Sequence, residues 1–277
     1  MIAAKKARPV QRLMWMRNAF TPLLLTLLAL LSCTAAGAEL ATRPQPLKSG
    51  TEFLSAEVRA VQQDDFSSPA TLWVQRGEKL WSQKAGAAEK SCADCHQDAR
   101  TSMKGVSPRY PKIDAGTARL TNIEGRINTC RTKHQQGAAL TYESDELLSL
   151  TTYVAHQSRG LPVNVTIDPQ NRRHFERGRD LFNTRIGQIN LACTHCHDRN
   201  FGRKLLNDTI SQGHGNGFPT YRLEWQTLGS LHRRLRACFF GVRAELPPAG
   251  AQDLLDLELF LAWRGQGLLV ETPAVRR

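Results

Sequence analysis

Methionine is scarce in this chain of 277 residues: there are four, and only Met103 lies beyond position 16. The C-terminal half of the chain therefore has none. Because methionine is the usual thioether ligand of protein-bound iron, an iron centre in that half must use other side chains. In the N-terminal half, Met103 is the only methionine beyond position 16 that could ligate such a centre.

Long apolar runs are also rare, and the one present, residues 19–32, is shorter than the ~20 residues that cross a bilayer. Five basic residues and no acid precede it, and Ala36 and Ala38 follow it as an A-x-A cleavage site. The pattern predicts a secretory signal peptide over residues 1–38, export to the periplasm, and no membrane span after cleavage. A transmembrane anchor is a weaker alternative because the run is short, and a lipid anchor at Cys33 is weaker because Leu31 is large for its position.

Acidic residues are fewer than basic ones, 25 against 37, which gives a formal net charge of +12. Loss of the signal peptide removes five positive charges and leaves +7. An exported basic chain suits anions or an acidic partner protein. No basic cluster is interleaved with aromatic residues, so the sequence does not predict nucleic-acid binding.

What the chain does contain is an internal repeat. "RGEKLW" precedes "CADCH" in the first half, and "RGRDLF" precedes "CTHCH" in the second, both at an offset of 101 residues. Pro111 stands 19 residues before Cys130, and Pro219 stands 19 before Cys238. Residues 146–163 match residues 253–270 at an offset of 107, with helical apolar spacing in both copies. Landmarks in the same order over about ninety residues indicate a tandem duplication.

The repeat predicts an all-α chain of two tandem domains, and the order of helices and motifs in each resembles class I cytochromes c, which implies one covalently bound haem per domain. In that fold a helix before the motif crosses a closing helix, here with Gly77, Leu80 and Trp81 against Tyr153, and Gly178 and Phe182 against Phe260. The predicted boundaries are an N-terminal extension at 39–70, a first domain at 71–163, a linker at 164–173 and a second domain at 174–277.

Cys-x-x-Cys-His in an exported chain is the signature of c-type haem attachment, in which two thiols bond to the porphyrin and the histidine ligates iron. The two matches predict two haem c groups. Two short disulfides, or a zinc site of four cysteines, are the alternatives; the cysteine pairs are 98 residues apart, and neither alternative explains the following histidines. His195 is predicted to be a solvated bystander. The predicted attachment and proximal residues are Cys92, Cys95 and His96, and Cys193, Cys196 and His197.

The second axial ligand of each iron cannot be methionine in the C-terminal half, and Met103 follows His96 by only seven residues, too few to reach the opposite face of a haem. Only Cys130 and Cys238 among the remaining candidates occupy equivalent positions in the repeat, which favours cysteine ligation of both irons. A disulfide between these two is the alternative, which the same register opposes because each lies over its own haem. The other candidates are His134, His156, His174, His214 and His232.

These features, together with "DDFSSPATLWVQRGEKLW" before the first motif, resemble the diheme SoxA subunits of SoxAX cytochromes from bacterial thiosulfate oxidation. The resemblance covers essentially the whole mature chain. It implies an L-cysteine S-thiosulfotransferase that joins thiosulfate oxidatively to a cysteine of the carrier protein SoxYZ. It also implies that two electrons leave through haem to a SoxX-type monohaem cytochrome c, the partner in a heterodimer.

The resemblance further implies that Cys238 is both an axial ligand and the active-site cysteine, carried as a persulfide, and that Arg234 binds substrate. The i, i+4 spacing of these two residues puts them on one helix face, and guanidinium suits a small dianion. Arg243 is a weaker candidate for the same anion site. Two alternatives remain open: an electron-transfer diheme cytochrome c in which Cys238 is only a ligand, and a thiosulfate dehydrogenase that forms tetrathionate. A peroxidase is disfavoured because both irons would be capped.

Overall fold

The structure is a computed structural model that describes residues 43–277. The predicted signal peptide and the alternative lipid anchor at Cys33 lie outside these residues. Residues 43–277 form one compact unit. Across this range, every helix is too short or too polar to cross a membrane.

Each half of the described chain repeats one order of helices: a long helix, the short motif helix, a helix that carries the lone cysteine, and a closing helix. In the first half these are α2 (Thr71–Ser82), α3 (Cys92–His96), α5 (Ile123–His134) and α6 (Asp145–His156), with α1 (Ala56–Gln63) before them and α4 (Ala99–Ser102) after the motif. In the second half they are α7 (Arg172–Asn183), α8 (Cys193–His197), α9 (Leu231–Gly241) and α10 (Gln252–Arg264).

The helices that carry the lone cysteines begin at matching polar caps. The side chain of Asn122 accepts a hydrogen bond from Gly125 N at 2.9 Å, and that of Ser230 accepts one from Arg233 N at 3.1 Å. Such caps satisfy backbone donors that a helix start leaves without partners. They fix the start of α5 and α9, so each lone cysteine falls about two turns further on.

Glycine allows the long helix of each half to cross its closing helix closely. A Cβ on Gly77 would overlap the carbonyl oxygen of Ser149, and one on Gly178 would overlap that of Asp256. Aromatic rings complete both crossings: the ring centroids of Trp81 and Tyr153 are 5.9 Å apart, and those of Phe182 and Phe260 are 5.3 Å apart. The sequence prediction of these two crossings is confirmed.

The expectation of an all-α chain needs one correction, because residues 43–277 contain seven short strands in their loops and C-terminal segment. Their two or three residues are too few to produce a visible alternation in the sequence. β1 (Lys112–Asp114) pairs with β2 (Arg119–Thr121), and β3 (Lys204–Leu205) pairs with β4 (Asp208–Thr209). β5 (Thr220–Arg222) lies between antiparallel β6 (Thr227–Gly229) and parallel β7 (Ala274–Arg276).

The N-terminal extension, for which the sequence shows no periodicity, contains a 3₁₀ turn at Gly50–Phe53 and the helix α1. It precedes the first half in sequence but contacts the second. The fully buried side chain of Gln212 accepts a hydrogen bond from Lys48 N and donates one to Pro46 O, both at 2.8 Å. Further on, α7 begins at Arg172, within the segment predicted as a linker.

A buried carboxylate and a half-buried one lie where α5 approaches α10. Glu124 and Glu258 line one cavity of about 90 Å³, and Glu124 is only 7% exposed. His232 Nε2 lies 3.0 Å from Glu258 Oε2, and Asn122 Nδ2 donates to the same oxygen at 3.1 Å. Burial, followed by repulsion from Glu258, raises the pKa of Glu124 to about 7.

Replacing Glu124 by glutamine is expected to remove a pH-dependent loss of stability. The folded pKa lies above the unfolded value, so the folded chain is most favoured below the unfolded pKa and loses stability as pH rises through the folded one. A shift from 4.5 to about 7 corresponds to on the order of 3 kcal/mol at alkaline pH. Urea unfolding should be measured at about pH 5 and about pH 8.5. The free energy of unfolding of E124Q should exceed that of the native chain only at the higher pH. An equal difference at both would contradict the assignment.

Candidate active site

The second Cys-x-x-Cys-His motif lies on α8. Its N-cap residue, Ala192, has no side-chain oxygen, and its backbone N–H instead donates to His195 Nδ1 at 3.1 Å. His195, expected to be solvated, is therefore a half-buried cap of the motif helix. The correction has a local cause: the middle position of the motif is the third residue of the helix, from which a side chain reaches back to the cap.

The motif histidine of the second half, His197, is held from two sides. Its Nδ1 lies 2.8 Å from the carbonyl oxygen of Ser211, which can only accept, so Nδ1 carries the proton. Gly213 faces the ring so closely that a Cβ there would lie 2.9 Å from His197 Nδ1. With Nδ1 directed at that carbonyl, Nε2 is the ring nitrogen that is left to ligate a metal.

The thiol of Cys238, on α9, lies close to the imidazole of His197. Burial alone would raise the pKa of Cys238, but the contact with His197 and the charges of Arg234 and Arg222 outweigh it and lower the pKa to about 7. The neighbouring Cys193 behaves in the opposite way, because burial and the proximity of Cys238 raise its pKa to about 12. Of these two thiols, Cys238 is the one held near its ionised form.

Two arginines lie beside Cys238, and the sequence identified only one of them. Arg234 is one helical turn earlier on α9, as predicted. Arg222 comes from β5; its side chain is 7% exposed and lies 2.8 Å from Glu224 Oε1. Burial and then the charge of Arg234 lower the pKa of Arg222, which places the two guanidinium groups near one another. The sequence does contain a signal for Arg222, because this residue stands three positions after Pro219, a landmark of the repeat.

Arg243, the weaker candidate for the same anion site, lines a different cavity, and its part in anion binding stays a prediction. Arg243 lies past the end of α9 in a left-handed conformation, with φ of 57°. It lines a separate cavity with Phe239 and Pro248.

Arg233 and Arg236, the other basic residues of this helix, have different environments. The guanidinium of Arg233 lies 4.3 Å from the centroid of the Trp225 ring. The guanidinium of Arg222 lies 5.1 Å from the same ring. Arg236 is half-buried. Arg233 therefore belongs to a stack with Trp225, which makes it a suitable comparison for Arg234.

The residues of the second half fit a covalently bound haem. Cys193 and Cys196 occupy one helical turn with His197, whose Nε2 is free to ligate, and the half-buried Cys238 faces that imidazole. A thiol and an imidazole are together a donor set that would suit a haem iron. All six cysteines between residues 43 and 277 are free. In the same range no three His, Cys, Asp or Glu side chains converge on a metal-ion site, so the four attachment cysteines do not meet.

The first half repeats the arrangement with a more exposed motif. Cys95 and His96 are exposed, and the ring of His96 lies 5.8 Å from that of Trp81. Burial, and then the nearby Cys130, raises the pKa of Cys92, so the lone cysteine again lies beside the attachment pair. Burial also raises the pKa of Cys130 itself, and Arg126 opposes it. The structure thus groups Cys92, Cys95 and Cys130 as the sequence predicts.

The histidines that remained as alternative ligands in the sequence mostly have other partners. Met103, also disfavoured, packs against the core of Trp81, Ala99 and Tyr153. A ring nitrogen engaged in such a contact is not available to iron, which favours the two cysteines, although the second nitrogen of His214, Nδ1, is buried without a hydrogen-bond partner. The partners are Asp256 for His174 at 2.7 Å, Glu258 for His232 at 3.0 Å, Thr272 O for His156 at 3.4 Å and Gln212 for His214 at 3.1 Å.

Replacing Gly213 by alanine is expected to disturb the second centre alone. The new Cβ would lie 2.9 Å from the His197 ring and force it to move, so the low-spin ferric signal of that centre should shift or be lost in electron paramagnetic resonance. Gly202→Ala is the matched control, because Gly202 has a similar positive φ of 84° but nothing within 4 Å of its Cβ position. Equal spectra for the two variants would contradict the packing role of Gly213.

Comparison with known proteins gives a consistent result. A sequence model described as the SoxA/TsdA cytochrome c domain matches residues 76–163. The L-cysteine S-thiosulfotransferase subunit SoxA of Pseudaminobacter salicylatoxidans is 44% identical over 230 residues, covering 83% of this chain and 80% of the relative. The subunit of the same name from Paracoccus pantotrophus is 37% identical over 243 residues, covering 88% of this chain and 83% of the relative.

A solved structure is also similar. The crystal structure of SoxXA from P. pantotrophus matches with a TM-score of 0.81 and 37% sequence identity, covering 83% of this chain and 87% of the matched chain. The similarity therefore extends well beyond the first Cys-x-x-Cys-His motif.

Proposed function

The chain belongs to the SoxA family of L-cysteine S-thiosulfotransferase subunits, and from this we propose that it couples thiosulfate oxidatively to a cysteine of a SoxYZ-type carrier protein. The observation that carries the proposal is the position of Cys238: a half-buried thiol close to His197, one helical turn after Arg234 and within the influence of the buried Arg222. A thiolate supplies the nucleophile, and two guanidinium groups suit a small dianion.

The wider assembly follows from the family. The chain would be two tandem cytochrome c-like domains with two covalently attached haem c groups, on Cys92, Cys95 and on Cys193, Cys196. The axial pairs would be His96 with Cys130 and His197 with Cys238. The partner would be a SoxX-type monohaem cytochrome c, in keeping with the similarity to a SoxXA structure, and the location the periplasm. When bound, haem supplies an acceptor for the electrons that leave sulfur.

The protein's own residues would perform the sulfur chemistry in two steps. Arg234 and Arg222 bind and orient the thiosulfate dianion. The sulfane sulfur of thiosulfate then forms a bond to Cys238 Sγ, and two electrons leave, giving a Cys238–S–SO₃⁻ adduct that contains the added sulfane sulfur. The thiolate of the carrier cysteine next attacks that sulfane sulfur; its bond to Cys238 breaks, Cys238 leaves as a thiolate, and the carrier's proton goes to solvent.

Peptide mass spectrometry of the holoprotein tests this role. After exposure to thiosulfate with an oxidised cytochrome as acceptor, the Cys238 peptide should carry sulfane sulfur, and the Cys130 peptide of the same digest is the internal control. Persistent absence of added sulfur from Cys238 would leave it as an iron ligand only, the electron-transfer alternative. Tetrathionate as the sole product would instead indicate a thiosulfate dehydrogenase.

A further inference from the structure

The two halves place residues of opposite charge at one equivalent position. β1 pairs with β2 in the same register as β5 pairs with β6, with Asp114 opposite Arg119 and Arg222 opposite Thr227. Asp114 therefore occupies in the first half the place that Arg222 occupies in the second, 16 residues before the lone cysteine. The arginine one turn before that cysteine is the same in both halves.

In the first half the two charges cancel. Arg126 Nη1 lies 2.6 Å from Asp114 Oδ2, and the Asp114 side chain is 7% exposed. The carboxylate is fixed by its own turn, because Asp114 Oδ1 accepts hydrogen bonds from Gly116 N at 3.1 Å and Thr117 Oγ1 at 3.0 Å. A second anion near Arg126 would have to be brought against this held negative charge.

In the second half the charges add. Arg222 has Glu224 at 2.8 Å and Asp208 at 3.8 Å, both more than 40% exposed, whereas Arg234 forms no salt bridge within residues 43–277. Exposed carboxylates are screened by water and salt and only partly offset a buried guanidinium. The side of the site that faces Cys238 therefore keeps positive charge.

Exposure does not separate the two cysteines, since both Cys130 and Cys238 are half-buried. Charge does. The first centre has a carboxylate paired with its arginine, whereas the equivalent strand position of the second centre carries a guanidinium.

We propose that this one strand position selects which centre takes up sulfur: Arg222 completes a two-arginine anion site at Cys238, and Asp114 neutralises Arg126 and excludes anions from Cys130. The inference rests on the proposed function and deepens it, because it explains why a duplicated centre has one reactive member. It makes Arg222 a substrate-binding residue and Asp114 a residue that restricts specificity.

Tetrathionate is a suitable probe because it needs no added oxidant. A cysteine thiolate attacks one of its two inner sulfurs, the central S–S bond breaks, and thiosulfate leaves. The cysteine gains an –S–SO₃⁻ group, and charge is conserved. Methyl methanethiosulfonate, an uncharged thiol reagent, reports access to the same sulfur without the electrostatic contribution.

The experiment treats holoprotein variants with each reagent and follows the Cys130 and Cys238 peptides by mass. Asp114→Asn keeps the Oδ1 acceptor of the turn and removes only the charge; it should speed tetrathionate labelling of Cys130 by about tenfold or more and leave Cys238 and thiosulfate turnover unchanged. Arg222→Gln should slow labelling of Cys238 by a similar factor. Labelling by the neutral reagent should change little in either variant.

Two results would overturn the inference: no gain at Cys130 in Asp114→Asn, or a gain of equal size with the neutral reagent, which would mean that access rather than charge had changed. Both differ from failure of the proposed function, in which native Cys238 acquires no sulfur from thiosulfate and the chain shows no turnover. High salt adds a check, since the difference between the reagents should shrink as charges are screened.

Discussion

Replacing Cys238 by alanine is expected to lower thiosulfate-dependent turnover by at least about 10³-fold, because it removes the sulfur that carries the covalent intermediate. The loss should fall on kcat, since Arg234 and Arg222 still bind the anion. Steady-state reduction of a SoxX-type cytochrome by thiosulfate and carrier protein measures it. Haem absorbance should show that attachment through Cys193 and Cys196 is retained.

The matched comparison is Cys130→Ala, which removes the repeat-equivalent cysteine. It should change the spectrum of the first centre but cost turnover far less, because Asp114 already pairs the arginine beside it at 2.6 Å. Equal losses of turnover in the two variants would mean that the centres act as a unit and that Cys238 has no special part in sulfur transfer.

Replacing Arg234 by methionine is expected to lower kcat/KM for thiosulfate by about 10²-fold. The substitution keeps the length of the side chain and removes one charge-assisted contact to a dianion, each worth about 1.5–3 kcal/mol. The effect should exceed that of losing a surface charge because Arg222 alone then balances the bound anion. Initial rates over a range of thiosulfate concentrations measure it.

Arg233→Met is the control for Arg234, since it removes the same charge from the same helix one residue earlier. Arg233 stacks on Trp225 at 4.3 Å, so its loss should alter kcat/KM by no more than about threefold. Comparable losses in the two variants would indicate general attraction of anions by a basic helix in place of a defined site.

The sequence was sufficient for the repeat because the landmarks keep their order and spacing in both halves. Gly77 and Gly178 predicted the helix crossings for a physical reason: a Cβ at either position would leave no room for the opposing backbone. The scarcity of methionine pointed to Cys130 and Cys238. Each of these features is visible in the sequence from one residue type or from its absence.

Arg222 and Asp114 could not be found in this way, because their meaning depends on a strand register. Each lies 16 residues from its cysteine, and only the pairing of β1 with β2 and of β5 with β6 brings them to the arginine on the following helix. The short strands themselves were missed for the same reason.

We propose that each half has its own cysteine-ligated iron and that Cys238 is the cysteine ligand in the second half. The most direct measurement is an electron paramagnetic resonance spectrum of the oxidised holoprotein beside those of Cys238→Ala and Cys130→Ala. We expect two low-spin ferric signals of the thiolate type, one lost in each variant while the other persists. Two unchanged signals in Cys238→Ala would contradict the assignment of Cys238 as a ligand and the site built around it.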